Sequence, residues 1–399
     1  MSERIRIAHV SDTHLGYRAL NKAEPESGRN QRTVDVDRAF ERTIDDILGR
    51  RVDAVIHGGD VFHHARPTWQ SMRHFIRQMR RIERAGIPTL VIAGNHDTPR
   101  IRTGGSAYSV IELALSEVRF VAEYEDIHEV DLFRHLDLHV HAIPHGALTN
   151  PDPVLSQVAP NRRNILVCHG MVPGILAPGV HSEPGEQQLE GALLDPAFDY
   201  IALGHYHVFT QAAGKAWYSG STERFGWGDH DANPGYAIVT MGAPGDPVEV
   251  EHVAIAGRPM INLKPVNGRN LRARDIADAV ITQLESLHSP DAMTRVDLRD
   301  VDRSTRREAE SILRRETAPL AFSFAVAAER TAFTPGVEQD MAREGVADLH
   351  TLFTEFVALR TGEHFNDEFA GQFLERGGRA LVDASLARDA PTPEEDNVG

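Results

Sequence analysis

At 399 residues, with 41% hydrophobic and 25% charged side chains, the chain has the composition of a globular protein of two or three domains. It has no run of about 18 apolar residues, which argues against a membrane span, and its single cysteine, Cys168, rules out an intrachain disulfide and fits a reducing cytoplasm. The net charge of −16 argues against a polyanionic partner, but residues 340–399 carry 13 Asp and Glu against 5 Arg, half of the total, so nucleic acid stays open.

Met1 to Ile5 lead straight into a strand, without a signal-peptide pattern. Residues 4–10 alternate and predict that first strand, ending at Ser11-Asp12. Residues 16–34, basic in patches (Arg18, Lys22, Arg29, Arg32), read as a long loop. From Asp35, Phe40, Ile44, Ile47 and Leu48 share a helical face. A second strand, Val52 to Ile56, leads to Gly58-Gly59-Asp60. Pro67 then opens a helix whose face carries Trp69, Met72, Ile76 and Met79. Residues 89–93 form a third strand that delivers Gly94-Asn95-His96-Asp97.

After a helix near 106–116 the pattern turns to β, with strands at 118–122, 137–143, 164–168, 199–203, 215–219, 236–240 and 248–254. The Pro- and Gly-rich stretch 171–191 reads as a loop. An α/β first half and a mainly β second half imply two packed sheets flanked by helices. Gly257-Arg258-Pro259 marks a boundary. Beyond it come β (260–266), α (273–287), β (293–298), α (303–315) and β (320–326), a small α+β cap. The expected domains are therefore 1–257, a cap at 258–330, C-terminal helices at 331–389, and a disordered acidic tail at 390–399.

Asp60, at the end of a buried strand, has two carboxylate oxygens and can bridge two cations about 3.5–4 Å apart. Asp12 and His14 are two apart, so in extended backbone they point the same way, and His205 and His207 repeat that spacing. Asn95 adds an amide oxygen and His169 another imidazole. Two Asp, one Asn and four His, with no sulfur, suit Mn²⁺, Fe²⁺ or Zn²⁺. Any one of them alone is a strand-end polar group; the ordered series is a site. His57, His64, His139, His141 and His145 have nothing tying them to it and are read as structural. Cys168 is read as a small buried apolar residue.

Asp12-x-His14, Gly59-Asp60, Gly94-Asn95-His96-Asp97, His169 and Gly204-His205-x-His207 resemble, in order, the motifs of the calcineurin-like metallophosphoesterases. His14-Leu15-Gly16, Gly59-Asp60-Val61-Phe62-His63 and Tyr218-Ser219-Gly220-Ser221-Thr222-Glu223-Arg224 resemble more narrowly the SbcD-type nucleases of DNA double-strand-break repair. The resemblance covers residues 1–255. It implies a four-layer α/β sandwich and a two-metal site for Mn²⁺, with Asp12, His14, Asp60 and His207 on one ion and Asp60, Asn95, His169 and His205 on the other. By the same resemblance His96 acts on the scissile phosphate and His63 contacts it. Asp97 is read as orienting a neighbouring imidazole.

Arg66, Arg100 and Arg102 are candidates for DNA phosphate, with solvated surface arginines as the alternative. Leu349, Leu352, Phe353, Phe356 and Val357 recur at helical spacing, and Phe369 and Phe373 lie on a second helix. Core and partner surface are both open readings of this stripe; the resemblance implies a grip on the coiled coil of an SbcC-type ATPase. It also implies a homodimer acting as exonuclease and endonuclease on DNA ends and hairpins. A phosphoesterase acting on small nucleotides or phosphoproteins is the second reading.

Overall fold

Residues of β1 (Ile5–Val10) alternate in destination: Ile5 and Ile7 enter one apolar layer, Ala8 and Val10 another. The same split recurs in β2 (Ala54–His57) and β3 (Thr89–Ile92). There Ala54, Ile56, Leu90 and Ile92 join the first layer and Val55 and Val91 the second. Strands apolar on both faces belong inside a layered α/β fold, and the computed structural model has that form. It describes residues 4–122, 124, 128–149, 158–175, 187–189, 191–195 and 197–327, with 353–354, 357–358, 371–374 and 376–377.

In chain order the later strands are β4 (Val118–Val121), β5 (His128–Val130), β6 (Leu138–Ile143), β7 (Arg163–His169), β8 (Tyr200–Gly204) and β9 (Thr210–Ala213). β10 (Ala216–Tyr218), β11 (Gly235–Met241) and β12 (Glu249–Ala254) follow. One sheet has the order β12-β11-β1-β2-β3-β4 and the other β5-β6-β7-β8-β10-β9. In each, the central strands β1 to β4 and β6-β7-β8-β10 run parallel. Ile7, Ile56 and Leu90 meet Val140, Ile165 and Val167 between the sheets. Each such fully buried aliphatic side chain contributes roughly 1.5–3 kcal/mol.

Helices α1 (Gln31–Arg50) and α2 (Trp69–Arg84) cover the outer face of the first sheet through Phe40, Ile44, Phe75 and Met79. The outer face of the second is closed by Leu189, Leu193 and Phe198. This is the expected α/β sandwich. His139 and His141 pack on one another there, and His141 on Phe198. Cys168 is buried in the same layer, its thiol pushed up to about 12 by burial.

Several local expectations need correction. α1 begins at Gln31, not Asp35, because the Asn30 side chain caps it, accepting from the amides of Arg32 and Thr33 at 3.1 and 3.3 Å. Arg32 is consequently a fully buried helical residue rather than part of a basic loop. The N-cap of α2 is Thr68, so Pro67 lies outside the helix, and Trp69 is 83% exposed instead of lining the apolar face. The helix near 106–116 is one short turn, α3 (Tyr108–Ile111), followed by a tighter turn at Glu112–Ala114.

After residue 258 the elements are β13 (Met260–Asn262), β14 (Val266–Asn267), α4 (Ala273–Leu287), β15 (Met293–Val296), β16 (Leu298–Arg299), α5 (Arg303–Glu316) and β17 (Ser323–Val326). The strand expected at 260–266 is split, because Pro265 has no amide to donate to a ladder. β13-β15-β17 and β14-β16 are separate parallel sheets. Ile276, Val280, Leu284, Val296 and Leu313 form a core of their own.

Residues 1–327 form one compact unit and 328–399 a second. In the second, the rings of Phe353 and Phe373 lie 5.4 Å apart and Val357 is buried. Leu349, Leu352, Phe356, Phe369 and the tail 390–399 fall outside the described residues. Among the described residues no helix is long and apolar enough to cross a membrane.

Candidate metal centre

The C-terminal ends of β1, β2, β3, β7 and β8 converge where the two sheets meet; His169 is the last residue of β7, and the loops after the other four carry the remaining ligand candidates. Close approach of the strands dictates glycine. A Cβ on Gly204 would lie 2.1 Å from the Gly58 carbonyl oxygen, and one on Gly94 equally close to Asp60 Oδ1. The ligand loops themselves are strained. Asp12, His14, Asp60 and His205 have φ of 52°, 44°, 54° and 106°, in the left-handed region that non-glycine residues seldom adopt. Asp12 and His14 therefore do not share a face by extended spacing. Their positions are set by the Asp12 and His14 amides, which donate to the carbonyls of Gly59 and Asp60, both at 3.0 Å.

Two groups of donors result, Asp12 with His14 and His207, and Asp60 with His169 and His205. Asp60 links them through one oxygen rather than two. Its Oδ1 accepts from the His96 amide at 2.9 Å, while Oδ2 lies 3.3 Å from His169 Nε2 and 3.7 Å from His14 Nε2. Asn95 Oδ1 lies 2.9 Å from His169 Nε2 and 3.1 Å from His205 Nδ1. Both Asp12 carboxylate oxygens lie 3.1 Å from the His205 amide.

The donor set fits divalent cations. His169 donates its Nδ1 proton to the Gly58 carbonyl at 2.8 Å, so a neutral ring turns the lone pair of Nε2 toward two oxygens that are also acceptors. His14 and His207 likewise face each other Nε2 to Nε2 at 3.3 Å. Lone pairs aimed at one another need a cation or a proton between them. Burial opposes charge on His169, yet Asp60 and Asp12 overcome it and lift the imidazole to about 9. Burial would also raise Asp60, but His169, His14 and His96 hold it well below the usual carboxylate range. A divalent cation meets the same demand more fully than one proton.

His96 and His63 stand beside these groups. Their rings stack at 5.2 Å, and His96 Nδ1 donates to the His63 carbonyl at 2.9 Å. His63 Nδ1 is 3.4 Å from His14 Nδ1, so His14, His63 and His96 also converge. Among the described residues Asp97, expected to orient an imidazole, meets backbone amides instead. Its carboxylate accepts from the amides of Val61, Phe62 and Gly94 at 3.0, 2.9 and 3.2 Å and so ties the Asp60 loop to the Asn95 loop. Burial raises it to about 6.

A cleft of about 1180 Å³ opens over Asn95, His96 and His63, and exposed Arg66 and Arg100 line it. Arg102 opens the short turn Arg102–Gly104. His145, read as structural, also lines this cleft, and its ring lies 6.5 Å from that of His169. His57 is buried and bonds Thr13 at 3.2 Å, one layer beneath the site.

Sequence reasoning missed Phe225, whose ring packs edge-on against His14 and His207, and Asp229, which meets His207. Neither lies in a regular element that periodicity could register, and Asp229 is 22 residues from its partner. The buried cluster of Arg32, Asp35, Glu223 and Arg258 was equally invisible, since its members come from three separate segments.

A two-sheet sandwich with a mixed Asp, Asn and His centre at the ends of its parallel strands defines a metal-dependent phosphoesterase. The family model for calcineurin-like phosphoesterases matches residues 5–209, and the chain belongs to that family. The proteins it is similar to include two named DNA double-strand break repair protein Mre11. The one from Haloferax volcanii is 31% identical over 69% of this chain and 60% of its own length. The one from Saccharolobus solfataricus is 32% identical over 51% and 50%. The chain thus spans about half to three fifths of the length of these two relatives.

Proposed function

We propose that this chain is the nuclease subunit of a DNA double-strand-break repair complex, and that it hydrolyses phosphodiesters at DNA ends and hairpins with two Mn²⁺ ions. The observation that carries this is the ring of facing lone pairs around Asp60 Oδ2, opening on a cleft edged by Arg66 and Arg100. The names of the relatives support DNA as the substrate. Asp12, His14, Asp60 and His207 would hold one ion, and Asp60, Asn95, His169 and His205 the other. Mixed nitrogen and oxygen donors without sulfur suit Mn²⁺ as they do Fe²⁺ or Zn²⁺, and the resemblance to SbcD-type nucleases selects Mn²⁺. Bound there, the ions would neutralise charge on the phosphodiester and activate water.

The residues around the ions divide the remaining work. The His63 carbonyl fixes the Nδ1 proton of His96, so when the ring is the imidazolium it is the Nε2 proton that can pass to the leaving oxygen, leaving the ring neutral. His63 contacts the phosphate. Asp97 fastens two ligand loops together. Arg66 and Arg100, with Arg102, bind phosphates along the strand. A phosphoesterase for small nucleotides would use the same ions. Offering the protein linear duplex, hairpin DNA and a small phosphodiester together separates the readings, since hydrolysis of the small ester alone would support the second.

Partners follow from apolar surface. Leu113 is 85% exposed and, unlike Trp69, Ile101 and Val110, lies outside the lining of the cleft. In this reading it lies in the homodimer contact of a cytoplasmic enzyme. Leu113→Glu should then give a monomer in light scattering with its fold intact, and an unchanged dimer would discard that contact. The C-terminal helices, including Phe353 and Phe373, are assigned to the coiled coil of an SbcC-type ATPase. Deleting residues 345–399 should abolish co-purification with that ATPase and leave cleavage of simple ends, whereas truncation at 390 should bind normally. Retained binding after the longer deletion would move the partner site elsewhere.

A further inference from the structure

We propose that Asp229 is the positioning residue for His207, presenting its Nε2 to the metal centre, and that the surrounding loop is locked in place for this purpose. The inference rests on the two-cation reading above. His207 Nδ1 lies 3.3 and 3.2 Å from the two Asp229 oxygens, while its Nε2 faces His14. A neutral imidazole carries one N–H. A carboxylate beside Nδ1 draws that proton there and leaves Nε2 as a bare donor for a cation, the arrangement in which a carboxylate fixes the tautomer of a ligating histidine.

The carboxylate is itself held. Asp229 Oδ2 accepts from the amides of Phe225 and Gly226 at 2.9 and 3.3 Å. The Phe225 ring lies 4.7 Å from that of His14 and 5.2 Å from that of His207, so it backs both imidazoles, and the Tyr17 hydroxyl donates to the Phe225 carbonyl. The root of the loop is joined to His207 directly, since the Ser221 amide donates to the His207 carbonyl at 3.1 Å.

Behind the loop sits an ion network with almost no solvent access. Glu223 is buried and accepts from the amides of Arg224 at 2.8 Å and Arg258 at 3.0 Å. Fully buried Arg32 donates to the Arg224 carbonyl and to Asp35, and Arg258 grips Asp35 with two bonds of 2.6 and 2.7 Å. Each charge in the network is paired, and removing one partner would leave another buried without compensation. Together they anchor the wall that carries Phe225 and Asp229.

The competing account is that Asp229 only caps the short turn Trp227–Asp229. Asp229→Asn separates the two, because an Asn side chain still accepts from the Phe225 and Gly226 amides. Its NH₂ would take the place of Oδ1, 3.3 Å from His207 Nδ1, so the ring loses one of its two acceptors and the negative charge that holds its proton there. Calorimetric titration of the chelator-stripped protein with Mn²⁺ should show one of two sites weakened about 10–100-fold in this variant, with an unchanged melting temperature of the metal-free protein. Unchanged affinity at both sites in a folded variant would overturn the proposal. Nitrogen-15 shifts of His207 in the wild-type metal-free protein at alkaline pH give a check that needs no variant. A protonated Nδ1 is expected, and a proton on Nε2 alone would refute it. If the wild type binds no Mn²⁺ at all, the two-cation reading fails first, and the tautomer measurement still decides the role of Asp229.

Discussion

Asp60→Ala should empty both metal sites and abolish cleavage together. One oxygen of this carboxylate faces an imidazole of each donor group, and the other holds the His96 backbone. Removing it leaves two like charges with no shared counter-ion, in a site where Asp60 is buried with only 1% exposure. Deleting one partner of a buried charge arrangement costs about 3–5 kcal/mol, or roughly 10²–10⁴-fold in occupancy. Elemental analysis after dialysis against trace Mn²⁺ gives the readout. Two ions per chain with wild-type turnover in the variant would show that Asp60 is no bridge.

His96→Ser should behave in the opposite way, keeping both ions and losing about 10²–10⁴ in rate, the usual weight of a positioned general acid. Its Nδ1 donates to the His63 carbonyl, so in the proposed role the proton transferred is the one on Nε2 of the imidazolium. The structure also sets the rival outcome. His14, His63 and His96 converge closely enough to hold an ion themselves, so a variant that lost metal would place His96 among the ligands.

Much of the fold could be read from period-two alternation. Ile5, Ile7, Ala8 and Val10 disclose two buried faces, and Leu90 to Ala93 repeat the pattern, because a strand packed on both sides has few polar positions. The ligand candidates stood out for a related reason: a carboxylate or imidazole directly after such a run and beside glycine has little structural cause to be there. What escaped was set by contacts across the chain. Arg32 looked solvated until α1 gained a cap at Asn30 and its guanidinium met Asp35, Arg224 and Glu223. β5 and β9 are short edge strands whose sequences show no clear alternation. Trp69 looked like core because helical periodicity gives an azimuth but not which end of a helix overhangs a cleft.

The positive φ angles at Asp12, His14, Asp60 and His205 belong with this second class. Each costs of order 1–3 kcal/mol, and nothing in residue type forecasts them. They occur where strands end and side chains must turn back over the sheet edge. Such strain persists because the surrounding bonds, including the three that Asp97 accepts, over-determine the loops. Asp97→Ala should accordingly loosen both ligand loops and weaken Mn²⁺ binding in calorimetry, although Asp97 lies in neither donor group.

The most direct test of the two-metal nuclease reading is a Mn²⁺ titration of chelator-stripped protein against end-labelled linear duplex DNA, with bound metal counted at each point. The account predicts no cleavage without metal and a rate that rises as the second ion per chain is bound. Cleavage by the fully stripped protein, or two bound ions with no cleavage of duplex or hairpin DNA, would contradict it.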